Sequence, residues 1–217
     1  MVSNRIAGFE LRLPESWHVV PTEMPGEIEG WARSTAEALV GGAPTLESPT
    51  LERPDAMTED ATEILAEQLA DVAKAVVDTR IGGLQTAVLV RHPELGAVDA
   101  MVTVGAQQDL ALDAFAAQLA AIVENSEEHD FAFAGRVDGT SDAGDVTGLH
   151  SMISHFGDLG IEGTAVLEER VVLGVFPAGC PDMVELTAIA RSVGTFDDMP
   201  QEMIDLLAGL AVELEAA

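Results

Sequence analysis

Apolar and polar residues alternate through Phe9, Glu10, Leu11, Arg12 and Leu13, the two-residue period of a strand with one buried face. Pro14, Glu15 and Ser16 predict a turn, and the extended run resumes at Trp17-His18-Val19-Val20. Residues 31–41 predict a short helix ending at Gly41-Gly42. Over residues 59–78 the period changes. Leu65, Leu69, Val72 and Val76 fall at helical spacing on one face. Thr58 stands as N-cap, and Glu59, Asp60 and Glu63 occupy the first turns, where the helix dipole favours acids. Residues 84–92 and 97–106 read as strands joined by the hairpin loop Pro93-Glu94-Leu95-Gly96. Asp109 predicts the cap of a second helix, with Leu112, Phe115, Leu119 and Ile122 on one face. Further strands are predicted at 131–137, 146–156, 164–176 and 182–192, with a turn-rich loop at 138–145. Val184, Leu186, Ala188 and Ala190 point one way along the last of these. Asp198 and Pro200 open a closing helix whose stripe is Met203, Leu207, Leu210 and Leu214.

This order, β-β-α-α-β-β-α-β-β-β-β-α, is rich in hairpins and predicts an α+β fold: a largely antiparallel sheet covered by helices with single apolar faces. Residues 44–54, "PTLESPTLERP", repeat "PTLE" between prolines, and Pro excludes helix and disfavours a central strand there, so an extended loop is expected. A strand, a short polar link and an amphipathic helix occur twice, from Ala100 and again from Val184.

Net charge alters the picture next. With 38 acids against 10 bases, the formal net charge is −28. Such a surface repels phosphate backbones and anionic membranes, so nucleic-acid binding is not expected. Its plainest effect is solubility, and its sharper implication is a basic partner or divalent cations. Lys74 is the single lysine. Cys180 is the single cysteine, in the turn "PAGCPD", so an intrachain disulfide is impossible and an incidental thiol is expected. No run of about 18 apolar residues predicts a membrane span, and the opening residues lack a signal-peptide pattern, so the expected location is cytoplasmic.

"FELRLPESWHVV" resembles the aromatic–apolar–Pro–x–x–Trp opening of PsbP-like proteins, and the closing half is similar too. It runs through "GLHSMISHF", "VLEERVVLGVF" and "MVELTAIARS" into a link containing Phe196 and a final helix. The resemblance implies an αβα sandwich around an antiparallel sheet, a single domain over residues 1–217, and a binding or adaptor role without catalysis. No ligand site of that family matches residue by residue.

Candidate chemistry is sparse. His150 and His155 lie five apart on one strand, on opposite faces, so they cannot share a metal within it. Asp138, Asp142 and Asp145 suit a solvated turn and do not match the EF-hand spacing. Glu168 and Glu169 straddle a strand, so one of them is a candidate for pointing inward. No phosphate-binding Gly loop with Lys, G-x-G-x-x-G or G-x-S-x-G is present. No catalytic residue, metal ligand or cofactor is therefore assigned. Trp17, Trp31, Met152 and Phe156 are the candidate partner-binding residues, because Trp is enriched at interface hot spots and Met suits adaptable binding surfaces. The expected function is a non-enzymatic adaptor or chaperone-like interaction protein with a protein partner, pairing into a homodimer being one option. The alternative is an enzyme whose site is assembled from dispersed acidic and His residues.

Overall fold

The opening alternation becomes strand β1 (Asn4–Leu11), in which Leu11 is buried and Glu10 exposed. The computed structural model describes residues 4–21, 25–42, 55–79, 83–125, 131–156 and 165–216. The proline-rich segment 44–54 lies outside the described residues. Strand β2 (Trp17–Val19) and a 3-10 turn at Pro25–Glu27 lead to helices α1 (Ile28–Gly42) and α2 (Asp55–Asp78). Strands β3 (Gln85–Leu89) and β4 (Ala100–Gln107) flank the loop "PELG", which forms a 3-10 turn closed by left-handed Gly96. Helix α3 (Leu112–Glu124) precedes strands β5 (Phe131–Ser141), β6 (Gly144–Phe156), β7 (Ala165–Phe176) and β8 (Met183–Ala190). Helix α4 (Met199–Leu206) and strand β9 (Leu210–Ala216) complete the order.

The strands form a seven-stranded sheet in the order β2-β3-β4-β8-β7-β6-β5 and a separate two-stranded ribbon, β1-β9. The pairings β2–β3, β4–β8, β7–β8, β6–β7, β5–β6 and β1–β9 are antiparallel. The fold is α+β, with a large antiparallel sheet.

Two compact units divide the chain. One comprises Met1–Pro14, Gly83–Gln85 and Ala100–Ala217; the other comprises Glu15–Gly82 and Thr86–Asp99. In the second, α1 packs on α2, and Ala32, Ala36 and Val40 of α1 and Leu65, Leu69 and Ala73 of α2 are all buried. In the first, β8 contributes Val184, Leu186, Ala188 and Ala190, every one fully buried, as the alternation predicts. Helices of this unit lie on both faces of its strands. Phe115 of α3 sits over Gly174 of β7, and Ile204 of α4 sits over Gly139 of β5; the register puts these glycines on opposite faces. The two strand–helix echoes therefore send their helices to opposite sides.

The closing helix is shorter than its stripe predicts. It stops at Leu206, passes through a 3-10 turn, and becomes β9 at Leu210, paired with β1 from Leu11↔Leu210 to Asn4↔Ala216. Residues 210–215 also alternate, Leu-Ala-Val-Glu-Leu-Glu, so both periods fit the same letters. The partner strand decides: the Arg12 amide donates to the Gly209 carbonyl at 3.0 Å, fixing the turn into the ribbon. The expected loop at 138–145 is mostly strand, since β5 and β6 run to Ser141 and Gly144 around a two-residue turn. Gly144, at φ 149°, makes that turn possible, because a Cβ there would lie 2.1 Å from the Phe176 carbonyl oxygen. Thr58 is not a cap, since α2 begins at Asp55. Asp109 is not one either; α3 starts at Leu112 behind Ala111. Asp198 caps α4 as expected, its side chain accepting from the Gln201 amide at 3.1 Å.

Candidate functional site: a buried His–Glu pair beside an exposed aromatic

Register builds the site. β6 and β7 pair as His150↔Val171 and Met152↔Glu169, and β5 joins as Gly135↔His150 and Phe133↔Met152. In antiparallel strands, directly opposed residues share a face. Phe133, Gly135, His150, Met152, Glu169 and, two residues along, Leu167 thus occupy one face. Of the two glutamates that straddle β7, Glu169 is the one turned inward, with its side chain 7% exposed.

Glu169 Oε1 lies 2.8 Å from His150 Nε2, the diagonal neighbour across the two strands. The other carboxylate oxygen, Oε2, is buried and has no hydrogen-bond partner among the described residues. Phe133 packs edge-on against the His150 ring, with centroids 5.3 Å apart at 64°. Gly135 makes this contact possible: a Cβ there would stand 2.8 Å from Phe133 Cζ. Phe133 is 46% exposed and Leu167 39%, so an apolar cluster meets solvent next to a buried charge.

The opposite face carries different groups. Arg170 binds Glu168 through Nη2 at 2.7 Å, and His155 Nε2 approaches Glu168 at 3.5 Å. His150 and His155 therefore engage different acids on different faces, as their spacing predicts. Glu185, also on that face, faces Gly105 and Gly174 on its two neighbouring strands. Burial pushes its carboxyl up, against a weaker opposing effect from the Thr187 hydroxyl. Asp138 stands in β5, where the Thr147 hydroxyl at 2.7 Å and then Arg136 hold it below the ordinary carboxylate range. Asp142 lies in the turn and Asp145 on β6, and among the described residues no group of three or more His, Cys, Asp or Glu gathers as a metal site. Cys180 is a half-buried free thiol whose amide closes the turn onto the Pro177 carbonyl.

The four candidate contact residues divide between the units. Trp17 is buried at 9% exposure on β2, opposite Leu89, and serves as a core anchor. Trp31 is half-buried on α1. Met152 stands between Phe133 and Glu169, inside the cluster just described. Phe156 ends β6 opposite Ala165, and its side chain lies outside the described residues. Met183, Met199 and Met203 are core, each at most 2% exposed. Phe133, Leu167 and the His150–Glu169 contact were not singled out from the sequence. The signal that finds them is the β6–β7 register, which brings the inward acid beside the histidine.

No protein-family model and no curated protein matches the chain. A solved structure from Bacteroides thetaiotaomicron VPI-5482 is similar at a TM-score of 0.39 and 8% identity, over 98% of this chain and 48% of that one. The chain thus spans about half the length of that structure. Among the described residues no helix is long and apolar enough to cross a membrane.

Proposed function

We propose that this protein is a binding module for another protein, an adaptor or chaperone-like partner, and that Phe133, Met152 and Leu167 form its contact surface. The observation that carries this reading is the exposure of Phe133 and Leu167 on one sheet face, flanking half-buried Met152. Aromatic and Met side chains are enriched at interface cores, and an aromatic beside a desolvated pocket is a frequent hot spot. The net charge of −28 selects a partner whose apolar anchor is surrounded by basic side chains. The resemblance to PsbP-like proteins points to the same kind of role.

A photo-crosslinking phenylalanine analogue at position 133, compared with the same analogue at exposed Ala38 of α1, tests the surface in the native cell. The expected result is one dominant adduct at 133 and none at 38. Phe133→Ser is then expected to weaken binding of that adduct partner at least about tenfold, or about 1.4 kcal/mol. Equal labelling at both positions, or an unchanged affinity in Phe133→Ser, refutes the reading.

A second reading, an enzyme using dispersed acids and histidines, has the His150–Glu169 contact in its favour, since a carboxylate that orients an imidazole is the arrangement a general base needs. Turnover found in a substrate screen and abolished in His150→Gln would establish it.

A further inference from the structure

We infer that Glu169 is a receptor for a primary ammonium group, presented as a lysine side chain of the protein partner. A carboxylate more than nine-tenths buried needs donors for both oxygens, because an unsatisfied buried acceptor is costly and rare. His150 supplies one, at Oε1. Oε2 has none among the described residues.

Among the described residues, three of the chain's cations are committed elsewhere. Arg170, the next residue, points to the other face and holds Glu168. Arg136 holds Asp138 on that same other face. Lys74, the single lysine, belongs to the other unit and pairs with Glu29.

The chemistry of the missing donor follows from what remains. With Oε1 taken, the two-pronged Arg fork has only one oxygen to meet, whereas an ammonium is a point charge that needs only one. The Phe133 ring, against His150, adds a face that attracts cations. The acidic chain raises the local concentration of cations around the protein. Oε2 is closed in this conformation, so a side chain must swing aside. Met152, directly across from Glu169, has the rotatable bonds to do so, and half-exposed Phe133 has the room.

The lysine's source rests on the docking surface proposed above, but ammonium binding does not, and the experiment separates the two. The full chain, with labelled Met methyls and His rings, is titrated by NMR with N-acetyl-lysine methylamide. N-acetyl-norleucine methylamide, the same chain without the charge, serves as control. The expected result is a saturable shift of the Met152 methyl and the His150 ring with the lysine probe, none with the norleucine probe, and at least tenfold weaker binding in Glu169→Gln. Absence of a saturable shift, or an equal shift with both probes, overturns the inference. This comparison uses the wild-type chain, so it stands even if Glu169→Gln does not fold. A response to the lysine probe without any adduct at position 133 supports the ammonium site and overturns the docking surface. A position-133 adduct without a probe response does the reverse.

Discussion

Replacing Asp182 by Ala should be among the most damaging single changes in this chain, although the residue lies far from the proposed site. Asp182, immediately before β8, is 1% exposed. Its carboxylate accepts from the Arg5 guanidinium, from the Ile6 amide at 3.1 Å and from the Asp109 amide at 3.0 Å. It thereby ties β1 and the β4–α3 link to the sheet. Asp182→Ala strands two amides. A buried donor left unsatisfied costs about 1–3 kcal/mol. Arg5 is not stranded, because it keeps the Asp109 carboxylate at 2.7 Å. The expected loss is therefore about 2–4 kcal/mol, the sum for the two amides with that of exposed Asp109 at the low end. Asp182→Asn keeps one acceptor oxygen and should lose about 2–3 kcal/mol. Arg5→Met should cost less than either, since Arg5 is 35% exposed and both amides keep their acceptor. Equilibrium urea unfolding at neutral pH measures all three, with an unchanged m-value as the condition for comparing them. The pH dependence has a definite sign. Burial raises the Asp182 pKa, but the Asp109 and Ile6 amides and Arg5 outweigh it and hold the pKa below its ordinary value of 3.8. The contribution is thus complete above 3.8 and fades as pH falls through the lower folded-state value. A loss under about 1 kcal/mol in Asp182→Ala, or a larger loss in Arg5→Met, refutes the reasoning.

Other sites give sharper contrasts. Gly148→Ala in β6 would place a Cβ 2.1 Å from the Val172 carbonyl oxygen and 2.6 Å from Leu173 Cδ2, so unfolding should show a loss of about 2–3 kcal/mol. Gly8→Ala in β1 meets nothing nearer than 3.7 Å and should stay within about 0.5 kcal/mol of wild type in the same assay. Asp109 has φ 56°, so Asp109→Gly should be nearly neutral, whereas Asp109→Val should cost about 1–2 kcal/mol by thermal unfolding. Burial lowers the His18 pKa below 6.5, so the unfolded chain binds more protons and stability falls as pH drops from 6.5 towards the folded value. His18→Gln should flatten that slope, and an NMR titration that places His18 at or above 6.5 defeats the prediction.

Much of the architecture was legible wherever one period had no rival. The stripe Leu65, Leu69, Val72 and Val76 and the alternation at 184–190 each admit one reading, and the burial follows it, with Val76 half-buried. Asp198 was legible as a cap because its side chain acts within four residues. Asp109 was misread for the converse reason: its local letters suit a cap, but its carboxylate meets Arg5, 104 residues earlier in the chain, and its amide meets Asp182. The same kind of distant partner turned the closing stripe into β9. Residues 210–215 fit both periods, and β1 chose between them by pairing.

The candidate site was hidden in a different way. Three ingredients were visible singly: a histidine, a pair of glutamates of which one was a candidate for pointing inward, and a methionine; Phe133 and Leu167 were not. What no local pattern contains is the offset between β6 and β7, which links His150 to Val171 rather than to Glu168 or Arg170. A slip by one residue would turn Glu169 outward and Arg170 inward. The pairing of buried Val146, Leu173 and Val175 with one face, and of Leu149 and Phe176 with the α3 side, opposes that slip. The apolar residues that build the core thus also place a carboxylate beside an imidazole, and its second oxygen, without a partner among the described residues, is the feature that distinguishes this face from an ordinary sheet.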